Sequence, residues 1–308
     1  MTWESAYHAP VLAREVAELL GNARHVLDGT LGGGGHALAL LEGGARVSGL
    51  DRDPQAVREA YLRLAPFVSS GALSIHCGNY ADLDALPELA AERFDGILLD
   101  LGVSSHQLDD ETRGFTFRPG AILDMRMGTD ATSSAAEFLN SAPEGELAWV
   151  FREYGDERRA PRLAREVTRR RANRPFVTSD DFVGAIRAVL GATSGAADFA
   201  RLFQAVRIAI NDELAGLARA LPVLRDHLRP GGTLAVIAYH SGEDRLVKHA
   251  FREWSTACIC PPRQPMCTCR GSALGSQLTR RSITAAADEV AANARARSAR
   301  LRAWQSAA

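Results

Sequence analysis

The 308-residue sequence predicts an α/β fold, a mostly parallel sheet with helices on both faces, interrupted by a helical insertion. Three observations carry this reading. Short apolar runs that end in an acid alternate with helix-patterned segments over the first hundred residues. A run of glycines follows the first of these runs. The alternation stops near residue 104 and resumes after about residue 205. The expected division is therefore 1–104 and 206–308 as the two parts of one α/β domain, with 105–205 as a helical domain between them.

Residues 10–20, PVLAREVAELL, have helical periodicity. Residues 25–28, HVLD, form a short strand, and a glycine-rich turn at 29–36 leads into a helix at 37–41. A second strand at 46–51 also ends in an acid, and 54–64 is a helix with Pro54 in its first turn. Third and fourth strands are predicted at 73–77 and 94–100. In the middle region AEFLNSAPEGELAWVFREYG and DERRAPRLAREVTRRR read as helices. GATSGAAD at 191–198 reads as a linker, and 200–221 as one long amphipathic helix. Pro230-Gly231-Gly232 is a turn before a fifth strand at 233–238. The Ala- and Arg-rich tail beyond about 285 is expected to fray.

Composition narrows the class. The chain is 46 % hydrophobic and 24 % charged, which supports a sizeable core and excludes a wholly disordered protein. No apolar run reaches the ~18–20 residues that span a bilayer. The first ten residues lack a secretory pattern, so a cytoplasmic location is expected. A net charge of −1 argues nothing about nucleic acid, and only local patches can. Lys248 is the one lysine, so nearly all the basic groups are arginine, whose planar fork suits phosphate wherever it clusters.

The first strand, its terminal acid and the glycine turn form the strongest local signal. Gly32, Gly34 and Ala37 fit the G-x-G-x-x-A spacing of a dinucleotide site, with Asp51 following at the end of the second strand. Asp28 stands directly before the turn. A carboxylate there repels a pyrophosphate but accepts from an ammonium. S-adenosylmethionine carries an ammonium and no phosphate, so Asp28 favours it over NAD. Asp51 is placed to accept from ribose hydroxyls in either case. Asp28, Asp51 and Asp100 all end strands, and in an open parallel sheet ligands bind beyond those ends.

With these residues in view, the chain resembles the RsmH (MraW) family of S-adenosylmethionine-dependent 16S rRNA cytidine N4-methyltransferases. The resemblance runs through DGTLGGGGH at 28–36, LDRDPQA at 50–56, FDGILLDLGVSSHQLDD at 94–110 and RGFTFRPGAILDMRM at 113–127. It continues through YGDERRAPRLA at 154–164, LFQAVRIAINDEL at 202–214, GGTLAVIAYHSGEDRLVK at 231–248 and ARARSARLR at 294–302, with HAPVL at 8–12 at its start. It implies a class I (Rossmann-like) methyltransferase domain. It also implies that Gly34, Gly35 and His36 contact the cofactor, that Asp51 holds its ribose, that Tyr80 lies beside its adenine, and that Asp100 and Gln107 complete the set. The implied target is a decoding-centre cytidine of 16S rRNA, within the small ribosomal subunit or its assembly intermediate. Three departures stand out: Gly242 for a usual Leu, Asp198-Phe199 for His-Pro, and Ala294 within the tail motif.

Cytosine N4 is a poor nucleophile because its lone pair is delocalised into the ring. A group that accepts from its hydrogens raises its electron density, and Asp100 is the candidate. Tyr239 and His240 follow the fifth strand and face the same crevice, in either a substrate role or an architectural one. Asp124 and Arg126 form either a site pair or a structural ion pair. Residues 151–175 hold nine Arg against four acids, and 270–308 seven Arg against two acids. Arg169, Arg170 and Arg171 are the expected phosphate contacts. Cys258, Cys260, Cys267 and Cys269 form two C-x-C pairs that allow either one structural Zn²⁺ or a reduced, metal-free loop. Methyl transfer itself requires no metal. Rival readings are a methyltransferase for another acceptor, a non-catalytic RNA-binding factor, and an NAD enzyme.

Overall fold

The computed structural model describes residues 3, 10–261, 264, 266 and 268–308. The chain divides into two compact units, Met1–Gly102 with Leu214–Ala308, and Val103–Glu213. His8 and Ala9 of the family-like stretch, and Cys267 of the proposed metal set, lie outside the described residues.

The first unit is built on seven strands: β1 (His25–Asp28), β2 (Arg46–Asp51), β3 (Leu73–Cys77), β4 (Phe94–Asp100), β5 (Leu228–Ala238), β6 (Gly275–Gln277) and β7 (Arg300–Ser306). Their order is β3-β2-β1-β4-β5-β7-β6. Neighbours from β3 to β5 pair in parallel, whereas β7 runs antiparallel to β5, and β6 to β7. Successive residues of the central strands enter two different cores. Val26, Leu98 and Ile237 pack into one, and Leu27, Leu99 and Val236 into the other. A side-chain period of two on a sheet covered on both faces requires this, and it explains why these strands read as continuous apolar runs. Chain order reverses at β1, between β2 and β4, so a crevice opens at the carboxyl ends of β1 and β4.

Three local expectations are corrected. The tail does not fray: β7 is an interior strand, with Trp304 fully buried against Phe251 and Trp254. Its composition hid this because Arg302 looks like a surface residue. In the sheet that guanidinium is buried and bonded to both oxygens of Asp244, at 2.7 and 3.2 Å. Pro230-Gly231-Gly232 is not a turn ahead of the strand but an irregularity within β5, where the β4 register jumps from Leu228 to Thr233. The long helix at 200–221 is two helices, Ala196–Ile210 and Glu213–Asp226. Asp212 takes a left-handed φ of 52° between them. Asn211 fixes the break by accepting from Met127 N–H and donating to Met125 O, both at 2.8 Å.

The second unit is helical, with helices Ala135–Ser141, Glu144–Glu153, Ala160–Arg171, Ser179–Leu190 and Ala196–Ile210 around Phe151, Leu163, Val167, Phe182, Leu202 and Phe203. Among the described residues it forms no strand, only an isolated bridge between Ile122 and Thr178. Its far edge lies at Glu213 because the helix Ala196–Ile210 contributes Leu202, Phe203 and Val206 to this core. The Asp198-Phe199 departure is architectural: Asp198 accepts from Gly195 N–H at 3.2 Å, and Phe199 is buried edge-on to Phe117. Asp124 and Arg126 form a bidentate ion pair, both contacts at 2.8 Å. Among the described residues no helix is long and apolar enough to cross a membrane.

Candidate functional site

The chain leaves β1 at Asp28 and reverses into the helix Gly35–Glu42. Gly29 N–H donates to Leu98 O at 2.9 Å and Leu31 N–H to Leu50 O at 3.0 Å, which lace the turn to β4 and β2. Gly32 and Gly34 hold φ values of 51° and 74°, a region open to glycine at little cost. A Cβ on Gly34 would lie 2.6 Å from Leu64 Cδ1, whereas one on Gly32 would meet only Thr30 O, at 3.9 Å. The backbone at Gly32 is therefore free to be approached closely.

Around this turn stands a buried ionisable cluster. Asp28 Oδ1 accepts from Thr30 N–H at 3.2 Å, but Oδ2 is buried with no hydrogen-bond partner. Burial pushes the Asp28 carboxyl up to about 7, against the opposing pull of His36 and the Thr30 N–H. Burial also pushes Asp51 up to about 6, although its oxygens accept from Gly32 N–H at 2.7 Å and Asp53 N–H at 2.8 Å. His36 lies with Nε2 3.4 Å from Asp100 Oδ2, and neither ring nitrogen completes a hydrogen bond of normal geometry. Burial disfavours its charge, yet Asp100, Asp28 and Glu289 together hold it above the ordinary imidazole range.

Asp100 is held from three sides. Its N–H donates to Thr30 Oγ1 at 2.6 Å, Tyr239 O–H donates to its Oδ1 at 2.8 Å, and His36 faces its Oδ2. Burial and the neighbouring Asp100 charge hold the Tyr239 phenol well above its usual range, so it stays a donor. His240 precedes the helix Ser241–Trp254. Its N–H and that of Tyr239 both donate to Glu243 Oε2, at 3.2 and 2.8 Å, and its Nε2 lies 3.2 Å from Glu243 Oε1. Gly242 permits this close ring, since a Cβ there would sit 3.1 Å from His240 Nδ1. A cavity of about 490 Å³ borders Tyr239 and His240 and is lined on its outer side by Arg245, Lys248 and Arg300.

The structure brings Asp28, Gly32, Gly34, Gly35, His36, Asp51, Asp100 and Tyr239 to the turn and the adjoining strand ends. Tyr80 opens the 3₁₀ turn after β3, and its Cβ would be 3.4 Å from a Cβ on Gly29. Gln107 belongs to the second unit, where its Oε1 accepts from Ser104 N–H at 3.0 Å within a capping box. The three arginines differ. Arg169 and Arg170 pair with Glu166 at 2.8 and 2.7 Å, while Arg171 donates to the carbonyls of Leu139 and Ala142 and so caps a helix end. Three residues escape the sequence reading: Thr30, Glu243 and Glu289. Glu243 had a signal, the H-x-x-E spacing of a capping box. Glu289 had none, because it reaches the cluster only through the fold, accepting from Leu12 N–H at 2.7 Å.

The donor set fits S-adenosylmethionine. A desolvated carboxylate with an unsatisfied oxygen suits an ammonium, and an open glycine turn between two strand-end acids suits a ligand carrying ribose but no phosphate. A profile of the MraW methylase family matches residues 5–307. A ribosomal RNA small subunit methyltransferase H from Gemmatimonas aurantiaca is 62 % identical over 301 residues, covering 98 % of this chain and 96 % of its own. The proteins of the same name from Heliobacterium mobile and Syntrophotalea carbinolica are 44 % and 46 % identical, covering 97 % and 98 % of this chain and 98 % and 99 % of their own.

Proposed function

Since the chain belongs to the MraW methylase family, we propose that it methylates N4 of a cytidine in small-subunit (16S) ribosomal RNA, with S-adenosylmethionine as donor. Its fold is that of a class I methyltransferase. The observation that carries the reading is the Asp100–Tyr239 pair at the ends of β4 and β5, next to the buried Asp28–His36 cluster.

When bound, the cofactor supplies a methyl group already activated by a sulfonium. Asp28 holds the ammonium of its amino acid part, and Gly32 to Gly35 let that part approach the backbone. Asp51 accepts from ribose hydroxyls with the lone pairs that Gly32 and Asp53 leave unused. Tyr80 offers a flat face to adenine. Asp100 accepts from the N4 hydrogens of the target base and draws electron density onto the nitrogen as it attacks. Tyr239 is a positioning residue that fixes Asp100 through its hydroxyl. His240, bound to Glu243, shapes the loop between β5 and the following helix. Arg165 and Arg169 of the helix Ala160–Arg171, with Arg174, and the groove of Arg245, Lys248 and Arg300 supply phosphate contacts while the base is turned out of its helix.

Asp51→Ala is expected to weaken cofactor binding about 10- to 100-fold, the loss of charge-assisted hydrogen bonds worth roughly 1.5–3 kcal/mol. Calorimetric titration with S-adenosylhomocysteine reads this, and an unchanged affinity would remove Asp51 from the site. For the RNA surface the informative group is Arg165, Arg169 and Arg174, whose side chains are 73, 63 and 80 % exposed, and not Arg171, which holds a helix end. Replacing all three by Gln is expected to lower RNA affinity and reduce the log–log salt slope by about two to three. An unaltered slope would mark the run as a solvated face.

We infer that the substrate is the small subunit or an assembly intermediate, met in the cytoplasm. The test is competitive labelling: small subunits and large subunits, both lacking modification, compete for methyl-labelled cofactor. Label confined to small-subunit RNA supports the proposal, and equal labelling of both would refute it.

A further inference from the structure

Beyond the transfer site, the segment between the helix Ser241–Trp254 and β6 has an unusual construction. Of the described residues from 255 to 275 none is buried, and Met266 is 77 % exposed. The described part of the segment thus has no apolar core to hold its shape. Its ends are tied: Leu274 N–H donates to Trp254 O at 2.8 Å, and Arg270 donates to Thr256 O at 2.8 Å and to Glu253 O. Between these ties the Sγ atoms of Cys258, Cys260 and Cys269 all lie within 4.8 Å of one another. Ile259 N–H also points at Cys269 Sγ, 3.3 Å away.

We propose that Cys258, Cys260 and Cys269 bind one Zn²⁺, which acts as the core of this loop. Two thiolates on a tetrahedral zinc at ~2.3 Å stand about 3.8 Å apart, and the three sulfurs, all within 4.8 Å of one another, lie within about 1 Å of that spacing. A disulfide uses two sulfurs, and here three converge. In the sequence Cys267 is the remaining thiol of the second C-x-C pair. The ion is structural, because none of the three cysteines belongs to the Asp28–Asp100 cluster. Removing it frees the loop and leaves cofactor binding intact.

The test titrates the full-length protein, reduced and stripped of metal, with Co²⁺ under nitrogen. One Co²⁺ per chain is expected, with a thiolate charge-transfer band of at least three sulfurs, intense tetrahedral d–d bands, and stoichiometric displacement by Zn²⁺. The variant combining Cys258→Ser, Cys260→Ser and Cys269→Ser should lose the band and the metal, while Cys77→Ser keeps both. Titration with S-adenosylhomocysteine shows that the triple variant is folded. Sub-stoichiometric metal, a pale octahedral spectrum, or a triple variant that retains the band would overturn the assignment.

Discussion

Asp100→Ala is expected to lower the rate of methyl transfer about 10²- to 10³-fold, the loss typical of removing one polar group aimed at a developing charge. Asp100→Asn, which keeps an acceptor oxygen, should recover part of it. The alanine variant also orphans the buried Tyr239 hydroxyl, at a cost of about 1–3 kcal/mol in stability. Tyr239→Phe separates the two effects. It removes the donor and keeps the Asp100 carboxylate, whose Oδ1 loses that one bond, so its deficit measures the hydroxyl's hold on Asp100. Combined with Asp100→Ala it should restore stability but not turnover. The readout is kcat and KM for cofactor and RNA, taken separately. If Asp100→Ala raises only the cofactor KM and leaves kcat unchanged, Asp100 is a cofactor ligand and not an acceptor for the amino group.

The second large effect is in pH. In the cofactor-free chain Asp28 is pushed by burial from 3.8 up to about 7. The folded state therefore binds a proton that the unfolded state has lost. The resulting stability is present below the unfolded pKa and disappears as pH rises through about 7. Three units at 1.36 kcal/mol each put the burden of the ionised carboxylate on the order of 4 kcal/mol. An ammonium in contact with Asp28 favours the carboxylate and releases that proton. Cofactor affinity should then rise up to about tenfold per pH unit below the Asp28 pKa and level off above it. Asp28→Asn should abolish this slope, weaken binding at pH 8, and raise the melting temperature of the cofactor-free chain at that pH. A wild-type affinity that is flat between about pH 6 and pH 8 would show that Asp28 does not meet the ammonium.

Much of the candidate site's placement in the fold is legible because its residues sit at positions that local rules mark. Asp28, Asp51 and Asp100 end buried apolar runs, and the glycine turn follows one of them, so periodicity and turn chemistry place all four. The first four strands keep their expected bounds for the same reason. Long-range effects were not legible. Arg302 reads as surface until Asp244, 58 residues earlier, neutralises it inside the sheet, so β7 is not marked by its own composition. The break at Asn211 and Asp212 depends on carbonyl and amide groups of Met125 and Met127, more than eighty residues away. Arg171 could not be told from Arg169 by charge pattern, because only the fold shows that it caps Leu139 and Ala142. Glu289 joins the electrostatics of His36 from near the other end of the chain.

The most direct measurement is the identity of the methylated nucleoside. Small subunits lacking this modification are incubated with the protein and methyl-labelled S-adenosylmethionine, and the RNA is digested and resolved by mass. N4-methylcytidine at a single position is the expected product, lost with Asp100→Ala. Label on another nucleoside, on ring carbon or ribose, or no transfer despite measured cofactor binding, would contradict amino-group methylation of this RNA.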